Sequence, residues 1–189
     1  LATAGRGRRS TAAGEEPDRI RAAEEHGAAS EAEADPVLDR ITALAARLLG
    51  VPVAAVSIVG KDRVWTMSGS GTSRGSAAAG ASLCPVTVRE NTPFIVDDVQ
   101  QDPRTAGDPL VVASPGFGFY AGVPLRTTEG LAIGTLCIMD RKARSLTGEQ
   151  EATLRDLAAL AADVLQLRRT VRNVRNGEAP LSGELTVAD

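Results

Sequence analysis

Histidine is nearly missing from this chain: there is one in 189 residues, His26. It lies in an N-terminal stretch of Ala, Gly, Glu and Arg, so the patterned part of the sequence has no histidine base and no histidine-rich metal site. Aromatic residues are also scarce, at one Trp, one Tyr and three Phe. With a net charge of −3 and no aromatics interleaved with the basic residues, the sequence lacks both the electrostatic footprint and the stacking platform of a nucleic-acid binder. The two cysteines, Cys84 and Cys137, sit in apolar surroundings without metal-ligand spacing, which fits a reducing cytoplasm better than a disulfide framework. No apolar run reaches the roughly 18 residues that would span a bilayer, and no secretory leader pattern is present. The chain begins at Leu1, so a fragment or a processed chain is expected.

What is present is a patterned block of about 130 residues, enough to bury a sizeable core. Residues 1–34 carry few large apolar side chains besides Ile20 and read as a solvated tail, partly helical from Asp18 onward. The cluster Arg6, Arg8 and Arg9 belongs to that tail. Asp35-Pro36 is a helix start, with Asp at the N-cap and Pro at the first helical position. Val37, Ile41, Leu44 and Leu48 follow at helical spacing, and Gly50 closes the helix. Val53–Val59 and Arg63–Ser68 read as strands, with Trp65 and Met67 sharing one face. Residues 68–80 read as a low-complexity loop. Ser82–Glu90 is a short helix or turn, Thr92–Val99 an edge strand, and Gln100–Ala113 a loop with Asx-Pro turn starters. Phe119–Leu125 and Leu131–Met139 form a hairpin closed by Glu129-Gly130.

Thr147-Gly-Glu-Gln150 is a capping box, and the helix it opens is expected to run to about Arg175. Leu154, Ala158, Ala161 and Leu165 make one apolar face, suited to packing on a sheet. Leu157, Leu160, Val164, Leu167, Val171 and Val174 make a second, stepping by alternating threes and fours as a coiled-coil seam does. A monomer needs only the first stripe. The second predicts a partner helix, from another copy or from Val37–Leu48, and dimerisation is the favoured reading. The segment 176–189 reads as disordered, so the expected division is 1–34, 35–169 and 170–189.

The run FYAGVPLRTTEGLAIGTLCIMDRKARSLTGEQ resembles the C-terminal half of a GAF domain, the small sensory module of signalling proteins. The likeness continues through NTPFIVDDVQQDPRTAGDPLV and LLGVPVAAVSIVGKDRVWTMS, covering roughly Pro36 to Arg169. It implies an α+β fold: a mostly antiparallel sheet of five or six strands with the first and last helices packed on one face. It also implies a small-molecule pocket, with a ligand-facing set of Ser82, Cys84, Asp97, Asp108, Ser114, Phe117, Phe119 and Tyr120. The expected role is sensory or regulatory, with the terminal helices relaying the bound state to a separate signalling effector.

Narrower chemistries within that resemblance find little support. Haem ligation and bilin attachment lack their histidine, and the cyclic-nucleotide signature of related domains is absent, so no cofactor is assigned. Free methionine sulfoxide reductases share the fold and use cysteines, but their sequence contexts are not reproduced around Cys84 or Cys137. No catalytic residue and no metal ligand is therefore expected, and the two cysteines read as small core residues. Asp97 and Asp98 point to opposite sides of a strand and read as turn caps, with Asp102 neutralised by Arg104. The rival to a ligand-binding sensor is a GAF-like scaffold that only dimerises.

Overall fold

The computed structural model describes residues 12–28, 34–112 and 116–177. Arg6, Arg8, Arg9, Ser114 and the segment from 178 onward lie outside the described residues. Helices are α1 (Ala12–Ala28), α2 (Pro36–Leu49), α3 (Cys84–Glu90), α4 (Pro109–Val112) and α5 (Gly148–Arg175). Strands are β1 (Val53–Val59), β2 (Arg63–Ser70), β3 (Gly75–Ala78), β4 (Phe94–Val96), β5 (Phe119–Arg126) and β6 (Ala132–Asp140). The six strands form one antiparallel sheet in the order β3-β2-β1-β6-β5-β4. The fold is α+β, as expected.

Strand β6 lies mid-sheet because nearly every residue along it is apolar and must be covered on both faces. Leu136 and Ile138 point into a core shared with α2 and α5, while Cys137 and Met139 pack on the other side. The hairpin turn closes where Gly130 takes φ 86°, a left-handed value open to glycine, and its N–H donates to the Thr127 carbonyl at 2.9 Å. Helices α1, α2 and α5 cover one face of the sheet; α3 covers the other.

Local signals in the sequence set both long helices. The Asp35 carboxylate accepts from the N–H groups of Val37 and Leu38, and Gly50 closes α2 in the left-handed conformation. Thr147 and Gln150 form the reciprocal capping box of α5. Arg144 adds a long-range lock: its guanidinium donates to the carbonyls of Leu49 and Gly50 at the end of α2. Leu154, Ala158, Ala161 and Leu165 are all buried against the sheet.

Three expectations need correction. The buried edge of α2 is Leu38, Ile41, Ala45 and Leu49, whereas Val37 and Leu48 are exposed at 48% and 56%. The small Ala45 lets the helix sit close to the sheet on a face turned one residue from the one with the largest side chains. The loop expected at 68–80 contains the rest of β2 and the edge strand β3, whose ladder Arg63↔Ala78 to Thr66↔Gly75 needs no apolar side chains. The stretch read as tail contains α1, which packs on β1 and β6 with Ala22, Ala23 and His26 buried. Its alanine face suffices because polar clamps assist: Arg19 donates to the Val59 carbonyl at 2.7 Å and Glu25 pairs with Arg169 at 3.2 Å.

A β-bulge in β2 also escaped the sequence pattern. Val56 pairs with Ser68 but Ser57 pairs with Thr66, which leaves Met67 as the extra residue. The bulge turns both Met67 and Ser68 toward the helices. The Ser68 hydroxyl, fully buried, meets Thr42 at 2.9 Å and donates to the Asp39 carboxylate at 2.6 Å.

Candidate functional site

On the α3 face, the sequence segments expected to enclose a pocket do converge. Leu83 and Cys84 from the start of α3, Phe94 and Val96 from β4, Val99, Val111 from α4, Tyr120 from β5 and Cys137 from β6 form one buried cluster. Tyr120 is its centre. Its ring stands 6.0 Å from that of Phe94, and its hydroxyl meets the Thr87 hydroxyl of α3 at 3.0 Å. Gly122 makes room for this pair, since a Cβ there would lie 2.4 Å from the Tyr120 hydroxyl oxygen and 2.6 Å from Thr87 Oγ1.

Next to Tyr120 lie the two cysteines. Cys84 and Cys137 are 53 residues apart in sequence, both buried, with sulfurs 3.9 Å apart. Sequence reasoning treated them as separate core residues. Strand alternation does put Cys137 on the α3 face, opposite Leu136 and Ile138, but nothing local brings Cys84 beside it. Polar groups ring the pair. Ser82 Oγ accepts from the Cys84 N–H at 3.2 Å, and the buried Thr135 hydroxyl makes no hydrogen bond within the described residues. Hydrogen bonding with Cys137, helped by the hydroxyls of Ser82 and Tyr120, lowers the Cys84 pKa to about 6 against the opposing effect of burial. The Cys137 thiol is pushed up by sharing that proton with Cys84 and by burial, and burial pushes the Tyr120 phenol up as well.

The other residues expected at the site lie apart from this centre. Phe119 faces the opposite side of the sheet, buried among the helices with the Arg144 guanidinium 5.8 Å from its ring. Alternation requires this once Tyr120 points toward α3. Asp97 is exposed at the end of β4, where its carbonyl accepts from the Arg144 N–H at 2.9 Å. Asp108 is half-buried and begins α4, its carbonyl accepting from the N–H groups of Val111 and Val112. Phe117 is half-buried ahead of β5. Asp102 is tied to Arg104, which holds its carboxyl down to about 2, and Arg104 stacks 4.7 Å over Phe94. Among the described residues no group of three or more His, Cys, Asp or Glu side chains is placed to hold a metal ion.

Two grooves open on the helical side instead. One of ≈ 430 Å³ runs between β5 and α5, with Pro124, Ala158 and Ala162 in its lining and Arg126 and Arg155 beside them. Another of ≈ 350 Å³ lies between α1, the hairpin turn and α5, with Arg21, Glu25, Glu129 and Arg169 in its lining.

The sheet order, the helix layer and the α3 cover together define a GAF-like fold. The GAF domain family profile matches residues 33–165, and the chain belongs to that family. Over 147 residues it is 34% identical to a cyclic di-GMP phosphodiesterase of Pseudomonas aeruginosa, a match covering 78% of this chain and 25% of the relative. Over 100 residues it is 29% identical to the diguanylate cyclase DgcP of Escherichia coli, covering 53% of this chain and 28% of the relative. The chain thus spans about a quarter of the length of these curated relatives. Among solved structures, it is similar to the GAF domain of an Acinetobacter phosphoenolpyruvate-protein phosphotransferase, with TM-score 0.61 and 16% identity over 84% of this chain and 97% of that one. Among the described residues no helix is long and apolar enough to cross a membrane.

Proposed function

We propose that this GAF domain is a regulatory module that dimerises through α5 and passes its state along that helix to an enzyme of cyclic di-GMP turnover. The observation that carries the reading is the free face of α5. Leu160, Leu167, Val171 and Val174 are exposed at 47–64%, on a helix whose opposite face already supplies the core. Leu157 belongs to the core and Val164 is half-buried against it, so four of the six seam positions are left for a partner. Exposed leucines and valines at heptad spacing are costly on a solvated helix and stabilising once a second copy covers them.

The arginines beside the seam do not oppose that pairing. Arg168 turns back to the Asp35 carboxylate at 3.3 Å, Arg169 to Glu25 at 3.2 Å, and Arg172 donates to the Glu25 carbonyl at 2.9 Å. These contacts also join α5 to α1 and to the N-cap of α2, so a displacement of α5 is felt at both. The output is inferred from the relatives, one named as a cyclic di-GMP phosphodiesterase and the other as a diguanylate cyclase. The module itself is read as non-catalytic and cytoplasmic, and the dimer-only scaffold remains the rival.

Native mass spectrometry of the purified chain, followed by denaturing spectra of the same sample, tests this reading. A dimer carrying a small mass that leaves on denaturation supports a ligand-binding sensor. A dimer without added mass supports the scaffold, and a monomer at every concentration overturns the α5 seam.

A further inference from the structure

We infer that Cys84 and Cys137 are a reversible thiol–disulfide site, through which the domain registers a hydroperoxide. The inference rests on reading the domain as a sensor and names the signal at its buried α3 face. Four observations carry it. The sulfurs are 3.9 Å apart although the residues come from α3 and β6, so a bond between them joins two elements rather than closing a local loop. Within their apolar cluster the cysteines have hydroxyl groups beside them, those of Ser82, Tyr120 and Thr135. The buried Thr135 hydroxyl makes no hydrogen bond within the described residues and is available to a sulfur anion. The closeness of the two sulfurs also couples their protons, so that one thiol ionises more readily at the expense of the other.

Position assigns the roles: Cys84 begins the short cover helix α3 and is uncovered when that helix opens, whereas Cys137 lies within the central strand β6. The Cys84 thiolate attacks the terminal oxygen of the hydroperoxide and the O–O bond breaks. The departing alkoxide, or hydroxide from hydrogen peroxide, takes up the proton that Cys84 had released. Cys84 becomes a sulfenic acid, oxidised by two electrons, and the peroxide is reduced to alcohol or water. Cys137 then attacks the Cys84 sulfur, expelling hydroxide, which leaves as water with the Cys137 proton. The sum is two thiols and one hydroperoxide giving one disulfide, one alcohol and one water. Both cysteines are buried, at 4% and 1% exposure, so the oxidant must be close to the size of water and reach Cys84 through local opening. The bond would tie α3 to the central strand whose other face packs beneath the helices, which is where α5 lies.

The test is to treat the chain with hydrogen peroxide, alkylate it under denaturing conditions and measure intact and peptide masses. The expected wild-type product has lost two hydrogens, carries an internal Cys84–Cys137 link and regains two alkylatable thiols with a reductant. Cys137→Ser should instead accumulate a dimedone-trapped sulfenic acid on Cys84, and Cys84→Ser should leave Cys137 a thiol. Wild-type protein with both thiols still alkylatable, or over-oxidised without the link, overturns the inference whatever the variants do. Sedimentation of the reduced wild type separates this outcome from a failure of the sensor reading, because the α5 seam requires a dimer with or without the bond.

Discussion

On the helical face of the sheet, Leu38 of α2 and Leu154 of α5 lie fully buried against Ile58, Leu125, Leu136 and Ile138 of the strands. On the α3 face, the corresponding places are taken by Tyr120, Cys84, Cys137 and valines, with Thr87, Ser82 and Thr135 set among them. The first face is mostly close-packed hydrocarbon, where stability follows area and fit, with the Ser68–Thr42–Asp39 hydrogen bonds at one point beneath α2. The second is smaller and chemically uneven, covered by a helix of seven residues and by loops. One sheet therefore separates the layer that holds α5 from a smaller one in which two thiols and several hydroxyls meet.

The largest effect should come from breaking the helical side. Leu154→Ala removes a fully buried side chain of α5 and should cost about 2–5 kcal/mol in urea unfolding. Leu167→Ala, on the exposed face of the same helix, should change the stability of the isolated domain by no more than about 0.5 kcal/mol. Equal losses would show that the two stripes of α5 are not distinct.

A smaller effect is expected on the α3 side, with a different signature. Tyr120→Phe strands the Thr87 hydroxyl in the interior and should cost about 1–3 kcal/mol. Adding Thr87→Val removes the stranded group and should recover part of that loss, since a buried pair deleted together leaves nothing unsatisfied. If the double variant is instead the sum of the two single ones, the hydroxyls are not coupled.

The smallest effect concerns the seat of α1. The His26 Nδ1–H donates to the Ala22 carbonyl at 2.7 Å, and burial, with Arg169 and Arg172 nearby, lowers its pKa below 6.5. The folded state then binds a proton less readily than the unfolded chain, so this contribution to stability is complete above pH 6.5 and is lost as pH falls through the folded pKa. Thermal unfolding should show wild type losing stability on acidification across that window relative to His26→Gln. Parallel curves would mean that α1 does not depend on a neutral imidazole.

The elements that were legible in the sequence are those specified locally. Asp35-Pro36, Thr147 with Gln150, and the hairpin around Gly130 each carry their own start or turn chemistry, and the fold class followed from the family resemblance. What was not legible depends on contacts between distant segments. Strand β3 is held by backbone pairing that alanine, serine and glycine do not advertise. The α1 helix docks through small residues and polar clamps, and the face of α2 was misjudged because side-chain size pointed to Val37 and Leu48. At the candidate site, the convergence of α3, β4, α4 and β5 was foreseen through family likeness. The placement of Phe119 on the opposite face follows from alternation, whereas the pairing of Cys84 with Cys137 needed three dimensions.

Sedimentation equilibrium of the wild-type chain beside Leu167→Glu/Val171→Glu tests the central claim that α5 faces a second copy of itself. Both substitutions lie on exposed positions, so the fold should persist with unchanged circular dichroism. The account predicts a concentration-dependent dimer for wild type and a monomer for the double variant. A wild-type monomer, or a dimer that survives both glutamates, would contradict it.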